Sequence, residues 1–321
     1  MAKTTRLLKS FSRLLLPVLL LVTASLIAAS VWLVYKTSEP PAASYLVTPD
    51  KYGRLSARGS QVTDETWQTN DGVSARGWLL RGLPNAPAVI LLHRYGADRS
   101  HVLNLGVKLN EATNFTVLMP DMRAHGPDAA SRNSTFGGCE GSDTTAAIAF
   151  LRSLKSPEQL TLVGRDIGIY GLEMGALAGV HAAAADQSVK ALVLDSVPRS
   201  SDELLGNSVG ARFPFASVVT AKIAQLGTYA YYYEGCYNRE AACESAKQIA
   251  DRRVMVLGGV DAPMFQDSSN RLSKCFPAST TVDSKTDLSP SGFSIMNASL
   301  EVTAAYDQRV IDFMKQALTL Q

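Results

Sequence analysis

Apolar positions along the chain fall into one long run and a series of short ones. From Leu14 to Tyr35 there is no charged residue, and a helix of that length extends about 33 Å at ~1.5 Å per residue, enough to cross the hydrocarbon core of a bilayer. Residues 36–60 are rich in Pro, Ser, Ala and Gly without sustained periodicity, the pattern of a linker. Short, almost wholly apolar segments follow: Trp78 to Leu80 after an Asn70-Asp71-Gly72 turn, Ala88 to His93, Phe115 to Met119, Ile167 to Tyr170, Val189 to Leu194 and Val254 to Leu257. Helix-like stretches near 102–110, 143–154 and 175–185 separate them. Continuous apolar strands alternating with helices are what a parallel sheet covered on both faces produces. The pattern predicts an α/β fold with a mostly parallel, doubly wound sheet over residues 61–321. Between about 198 and 251 the alternation lapses, which predicts a small helical cap. Tyr229, Tyr231, Tyr232, Tyr233 and Tyr237 within it either pack the insert or line a pocket. A last helix, Glu301 to Leu318, places Val302, Tyr306, Val310, Phe313 and Leu318 at spacings for one buried face.

Charge sharpens the reading of the N-terminus. Lys3, Arg6, Lys9 and Arg13 all precede the long apolar run, so residues 1–13 are expected in the cytoplasm, 14–35 across the membrane, and the main domain periplasmic or extracellular. A cleaved signal peptide is the competing reading, with Ala28-Ala29-Ser30 as the small-residue site. Against it, the run continues through Trp32 and Tyr35, residues suited to an interfacial aromatic belt. Residues 1–36 hold five basic and no acidic side chains, which leaves 26 basic against 29 acidic and a net of −3 beyond them. That mild acidity speaks against nucleic acid as a partner. Four cysteines, Cys139, Cys236, Cys243 and Cys275, form no C-x-x-C pair, and an exported domain permits disulfides. Cys236 with Cys243 is the nearest pair; four cysteines allow three pairings. No motif points to a metal or a cofactor.

The stretch "IYGLEMGALAG" reads as a strand, a glycine turn and a helix, with Glu173 at the apex of Gly171-Leu172-Glu173-Met174-Gly175. G-x-x-x-G in that setting is the context of a nucleophile elbow, where a serine sits on a strained turn before a helix N-terminus. The neighbouring segments carry a resemblance. "TWQTNDGVSARGWLLRG", "AVILLHRYGADRS", "VLMPDMRAHG" with its D-x-R-x-H-G ending, "TFGGCEGSDTTAAIAFLRSL" and "VMVLGGVDAPMF" together resemble the α/β-hydrolase superfamily, especially its acylaminoacyl-peptidase-like serine hydrolases. The resemblance runs from about residue 62 to the C-terminus. It implies an oxyanion loop at Arg94 and Tyr95, with Met174 as the second backbone donor, and the acidic triad member at Asp261.

The chemistry that the resemblance implies is incomplete in this chain. A serine attacks, a histidine takes its proton and an acid orients the histidine. Here Glu173 holds the nucleophile position. The only histidines, His93, His101, His125 and His181, all precede Asp261, although the imidazole is expected after the acid. "SPSGFSIMNASLEV" offers Ser294 and Asn297 in that region. Arg94 stands where the family has glycine, so a long cation is expected to crowd the oxyanion loop. Glu173 as a carboxylate nucleophile would still need a base to hydrolyse its ester. The plainer expectation is electrostatic: a carboxylate facing the oxyanion donors stabilises the turn and blocks acyl transfer. His93 and His125, at the ends of neighbouring strands, are pocket candidates but are expected to hold loops. Glu140 and Asp143 are expected to organise a helix entry, and His181 to pack on its helix. The sequence therefore predicts a membrane-anchored pseudo-hydrolase that binds a small acyl or peptide-like ligand or a protein partner. The alternative is an atypical ester or amide hydrolase with relocated groups.

Overall fold

The structure, a computed structural model, describes residues 2–41, 44–52, 61–214, 217–232, 235–237 and 239–319. Its elements in chain order begin with helix α1 (Ala2–Ser38) and α2 (Pro49–Tyr52), then strands β1 (Val62–Gln68), β2 (Ser74–Leu80) and β3 (Ala86–Leu92). Helix α3 (Leu103–Thr113), β4 (Thr116–Asp121), α4 (Gly138–Ser153), β5 (Val163–Leu172), α5 (Met174–Ala185) and β6 (Val189–Asp195) continue the alternation. They are followed by α6 (Ser201–Arg212), α7 (Ser217–Tyr231), α8 (Ala242–Ala246), β7 (Arg253–Gly259), α9 (Pro263–Leu272), β8 (Thr281–Leu288) and α10 (Leu300–Thr319).

The chain divides into two compact units. One comprises residues 1–38 and 205–235; the other comprises residues 39–204 and 236–321. The second unit holds a single eight-stranded sheet in the order β1-β2-β4-β3-β5-β6-β7-β8. Strand β2 runs antiparallel to β1 and β4, and every later pairing is parallel. Val89, Ile90 and Leu91 of β3 and Leu192, Val193 and Leu194 of β6 are wholly buried, as strands covered on both faces must be. Helices α3 and α10 pack together on one face, while α4 and α5 pack together elsewhere on the sheet. Strand β8 escapes the apolar-run signal because it is an edge strand with most of its side chains half-buried or exposed.

Local chemistry sets the boundaries that matter for the site. α3 ends at Asn114, whose left-handed backbone (φ 58°) closes the helix, as asparagine tolerates. α4 starts where Glu140 folds back on its own N-terminal turn, accepting the N–H groups of Thr135 and Gly137 at 2.9 and 3.0 Å. Asp143 instead pairs with Arg123 at 2.7 Å, so the two acids do organise the helix entry.

Several expectations change in detail. Within the predicted linker, Tyr45 is held against the sheet unit: its hydroxyl donates to Asp121 at 2.7 Å and its ring lies 4.9 Å from that of Trp78. Cys139 is bonded to Cys236 and Cys243 to Cys275, so the short Cys236 to Cys243 clasp does not form. On α10, Tyr306, Val310 and Leu318 are buried with Met314 and Ala317, but Val302 is exposed in the first turn. Of the tyrosines between 198 and 251, Tyr237 is buried with its hydroxyl on Asp202, whereas Tyr229 and Tyr231 are exposed and Tyr233 lies outside the described residues.

Candidate functional site

At the end of β5 the chain turns from sheet into α5 through Gly171 to Gly175. Glu173 sits at the apex with φ 52° and ψ −107°, a conformation sparsely occupied by residues that carry a Cβ. The flanking glycines are demanded by contact. A Cβ on Gly171 would lie 2.4 Å from the carbonyl oxygen of Gly175, and one on Gly175 would lie 2.5 Å from that of Leu92. The Glu173 N–H donates to the Asp195 carbonyl at 2.9 Å and ties the turn to β6.

The Glu173 carboxyl is 6% exposed and accepts the Tyr95 N–H at 2.8 Å, and the Met174 N–H lies close enough to favour its anion. One of the two backbone donors expected from sequence, the Tyr95 N–H, is thus taken by the protein's own side chain. Burial pushes this carboxyl up to about 7, although both N–H groups and the nearby Arg94 charge favour the anion. It is accordingly a group that titrates near neutrality rather than a fixed charge. Arg94 does not fill the loop: its guanidinium lies over the Phe293 ring, 5.2 Å from the centroid.

No histidine among the described residues bonds Glu173. His93 takes the Met122 N–H on Nε2 at 3.0 Å and its Nδ1 faces the Arg94 carbonyl at 2.9 Å. His125 takes the Gly96 N–H on Nε2 at 3.0 Å and its Nδ1 faces the Arg123 carbonyl at 2.7 Å. Each ring therefore carries its proton on Nδ1 and spends both nitrogens on loop backbone. Burial lowers both rings, His93 to about 3, so neither is poised as a base near neutral pH. His101 contacts Asp98, and His181 faces Ser245 at 2.9 Å.

Beyond β7, Asp261 is engaged by one residue from the loop after β8. Ser291 donates its N–H to Oδ1 at 2.9 Å and its hydroxyl to Oδ2 at 3.0 Å. The next residue, Gly292, donates its N–H to Asp195 at 2.9 Å. The loop in which sequence reasoning sought an imidazole is thus fastened to the acids at the ends of β6 and β7, with Ser294 and Asn297 outside those bonds.

Similar structures fix what this arrangement is. The chain superposes on an esterase of Pyrococcus furiosus with a TM-score of 0.61 at 19% identity, covering 87% of this chain and 99% of that one. A dienelactone hydrolase of Anabaena variabilis gives 0.53 at 16% identity, covering 81% and 99%. The chain has the α/β-hydrolase fold. No family model matches the sequence. A thiohydrolase of Eupenicillium brefeldianum is 27% identical over 128 residues, a match that spans 40% of this chain and 40% of that relative.

Within this α/β-hydrolase fold, sequence reasoning missed a buried polar cluster. Asp195 is wholly buried and accepts the Tyr306 hydroxyl at 2.6 Å and the Ser196 hydroxyl at 2.8 Å besides Gly292; Tyr306 in turn meets the Tyr170 hydroxyl at 3.1 Å. Burial raises Asp195 and both tyrosines, so the tyrosines remain protonated donors. The signal was a lone acid closing the apolar run of β6. Beside this cluster a cavity of about 360 Å³ is lined by Arg94, His101, Leu105, Leu172 and Phe293 among others. Its size is within the range of small-molecule sites. Glu173 is not in its lining.

Proposed function

We propose that this chain is a membrane-anchored protein of the α/β-hydrolase fold that has given up hydrolysis and binds a small acyl or peptide-like ligand. One observation carries the reading. The Glu173 carboxyl accepts the Tyr95 N–H, with the Met174 N–H near enough to favour its anion, and these are the groups an oxyanion would otherwise require. The engagement of Asp261 by Ser291, and of both strand-end histidines by backbone, supports the same conclusion. The comparison proteins are named an esterase, a dienelactone hydrolase and a thiohydrolase. The cavity beside Arg94 and Phe293 offers a cation above apolar walls, suited to an acyl chain or peptide backbone ending in a carboxylate. The anchor is α1, of which Leu15–Ser38 is long and apolar enough to span a bilayer. The basic residues before it favour a cytoplasmic N-terminus with the rest of the chain on the far side.

One observation favours the second reading, an atypical hydrolase. A buried carboxyl held up to about 7 has the acidity of a general acid or base. Turnover of short p-nitrophenyl esters and aminoacyl amides by the full-length protein and by Glu173→Gln separates the two. No turnover by either protein is expected; turnover that Glu173→Gln abolishes overturns the pseudo-hydrolase.

A further inference from the structure

The first unit of the chain carries a feature that neither the fold nor the elbow explains. Helix α7 packs along the C-terminal part of α1. The seam is made of small residues: a Cβ on Gly227 would lie 2.1 Å from the Ser30 hydroxyl oxygen and 2.9 Å from a Val34 methyl. Ser30 donates across the seam to the Ile223 carbonyl at 3.4 Å. Ala224 and Thr228 are buried on the same side of α7, and Leu33 and Val34 are buried on α1. Close approach through small residues with a hydroxyl bond across it is how helices associate in lipid.

The other side of α7 is apolar and uncovered. Val218, Val219, Leu226 and Tyr229 on that side are 75%, 59%, 64% and 44% exposed, and Lys222 is the helix's only charged residue. The position along α1 decides what covers them. Ser30 lies five residues inside the end of the uncharged run at Tyr35, about 7 Å below it at ~1.5 Å per residue. A bilayer that contains this run therefore surrounds the part of α1 on which α7 rests. That depth is where interfacial amphipathic helices lie, about 5–10 Å into the headgroup and acyl boundary, with tyrosines and a snorkelling lysine reaching the polar layer.

We infer that α7 is embedded in the bilayer, in the leaflet that holds the C-terminal end of α1, with Val218, Val219, Leu226 and Tyr229 in contact with lipid. The inference rests on α1 being a retained anchor. Both are tested on the full chain reconstituted in phosphatidylcholine vesicles, under non-reducing conditions that keep the native cysteines in their disulfides. A single environment-sensitive fluorophore is placed at Leu226→Cys, at Val219→Cys or, on α1 itself, at Leu20→Cys. The probe at Leu226→Cys and Val219→Cys is expected to be shifted to the blue. Its fluorescence should be lost to lipid-borne doxyl groups near the headgroup more than to doxyl groups near the chain end, and the probe at Leu20→Cys, about 9 Å inside the other end of the run at ~1.5 Å per residue, should be quenched by lipid-borne doxyl groups as well. Quenching at Leu20→Cys with none at the α7 positions, where aqueous iodide quenches instead, would overturn the inference and leave the anchor standing. Absence of quenching at Leu20→Cys would overturn the anchor and the inference with it. Oxidation of unlabelled Leu226→Cys to a dimer in vesicles, without lipid quenching of the labelled form, would assign the face to a second copy and also overturn it.

Discussion

Ser291 satisfies both carboxylate oxygens of Asp261, with its backbone N–H at 2.9 Å and its hydroxyl at 3.0 Å. In an α/β hydrolase of the serine type that acid orients an imidazole. Here a short side chain from the loop after β8 takes both oxygens of Asp261, and the proposed loss of hydrolysis rests in part on that contact. Restoring one part of the machinery is therefore expected to achieve little. Glu173→Ser alone should hydrolyse p-nitrophenyl acetate no faster than the parent protein and should label poorly with a fluorophosphonate. Adding Ser291→His should raise the rate about 10²-fold over the single variant, the low end of what a positioned base contributes. Equal rates for the single and double variants would show that Ser291 does not stand at the base position.

The buried Glu173 makes stability depend on pH in a defined direction. Its carboxyl is raised from 4.5 unfolded to about 7 folded, so the folded state holds the proton more tightly. Between those values the native protein binds more protons than the unfolded chain, and stability falls as pH rises. The cost levels off above about 7 and amounts to about 3 kcal/mol when the group is fully ionised. Glu173→Gln keeps an acceptor for the Tyr95 N–H without the charge. It should unfold at a higher temperature than the parent at pH 8, with the gap closing towards pH 5. A gap independent of pH would mean that Glu173 does not titrate in this range.

Tyr306→Phe removes the shortest hydrogen bond to the buried Asp195 and strands the Tyr170 hydroxyl. Leaving such groups unpaired costs about 1–3 kcal/mol. Urea denaturation in detergent should report a lower midpoint with little change in slope. An unchanged midpoint would show that water or a rearranged loop satisfies Asp195.

The disulfide between Cys243 and Cys275 closes a sequence separation of 32 residues. Chain-entropy arguments put its contribution at about 3–4 kcal/mol. The double variant Cys243→Ala with Cys275→Ala should lose stability of that order in thermal unfolding, while mass spectrometry still finds the Cys139 to Cys236 bond. Free thiols at Cys139 and Cys236 in that variant would refute the assigned pairing.

Gly175→Ala places a methyl group 2.5 Å from the Leu92 carbonyl oxygen, with backbone on both sides of the contact. Neither strand nor helix can retreat cheaply, and about 1–3 kcal/mol of destabilisation is expected from such overpacking. Circular dichroism melting compares it with Gly210→Ala, whose added Cβ meets only the Ser217 side chain at 3.9 Å. Equal melting temperatures would show that the elbow is not so tightly packed.

Much of the molecule was legible as one-dimensional pattern. Apolar runs announced β3, β4, β5, β6 and β7, because strands buried on both faces carry no polar alternation. The edge strand β8 was not announced, because one of its margins is open and its residues need not be apolar. The elbow was legible as G-x-x-x-G since its glycines answer a local steric demand. Two absences from the expected machinery were also legible: no serine at residue 173 and no histidine after Asp261.

The sequence by itself determined the fold class, the apolar length of α1 and the absence of a serine at residue 173 and of a histidine after Asp261, because each depends on residue type and local spacing. Only the tertiary structure decided what Glu173, Asp261 and Asp195 meet. Tyr95 meets the Glu173 carboxyl, Ser291 meets Asp261 and Tyr306 meets Asp195 across separations of 78, 30 and 111 residues. Such contacts are set by how strand ends converge, and hydrogen bonding acts over about 3 Å in space whatever the distance along the chain. The acidity of Glu173 belongs to the same class, since it comes from burial, which no stretch of sequence displays.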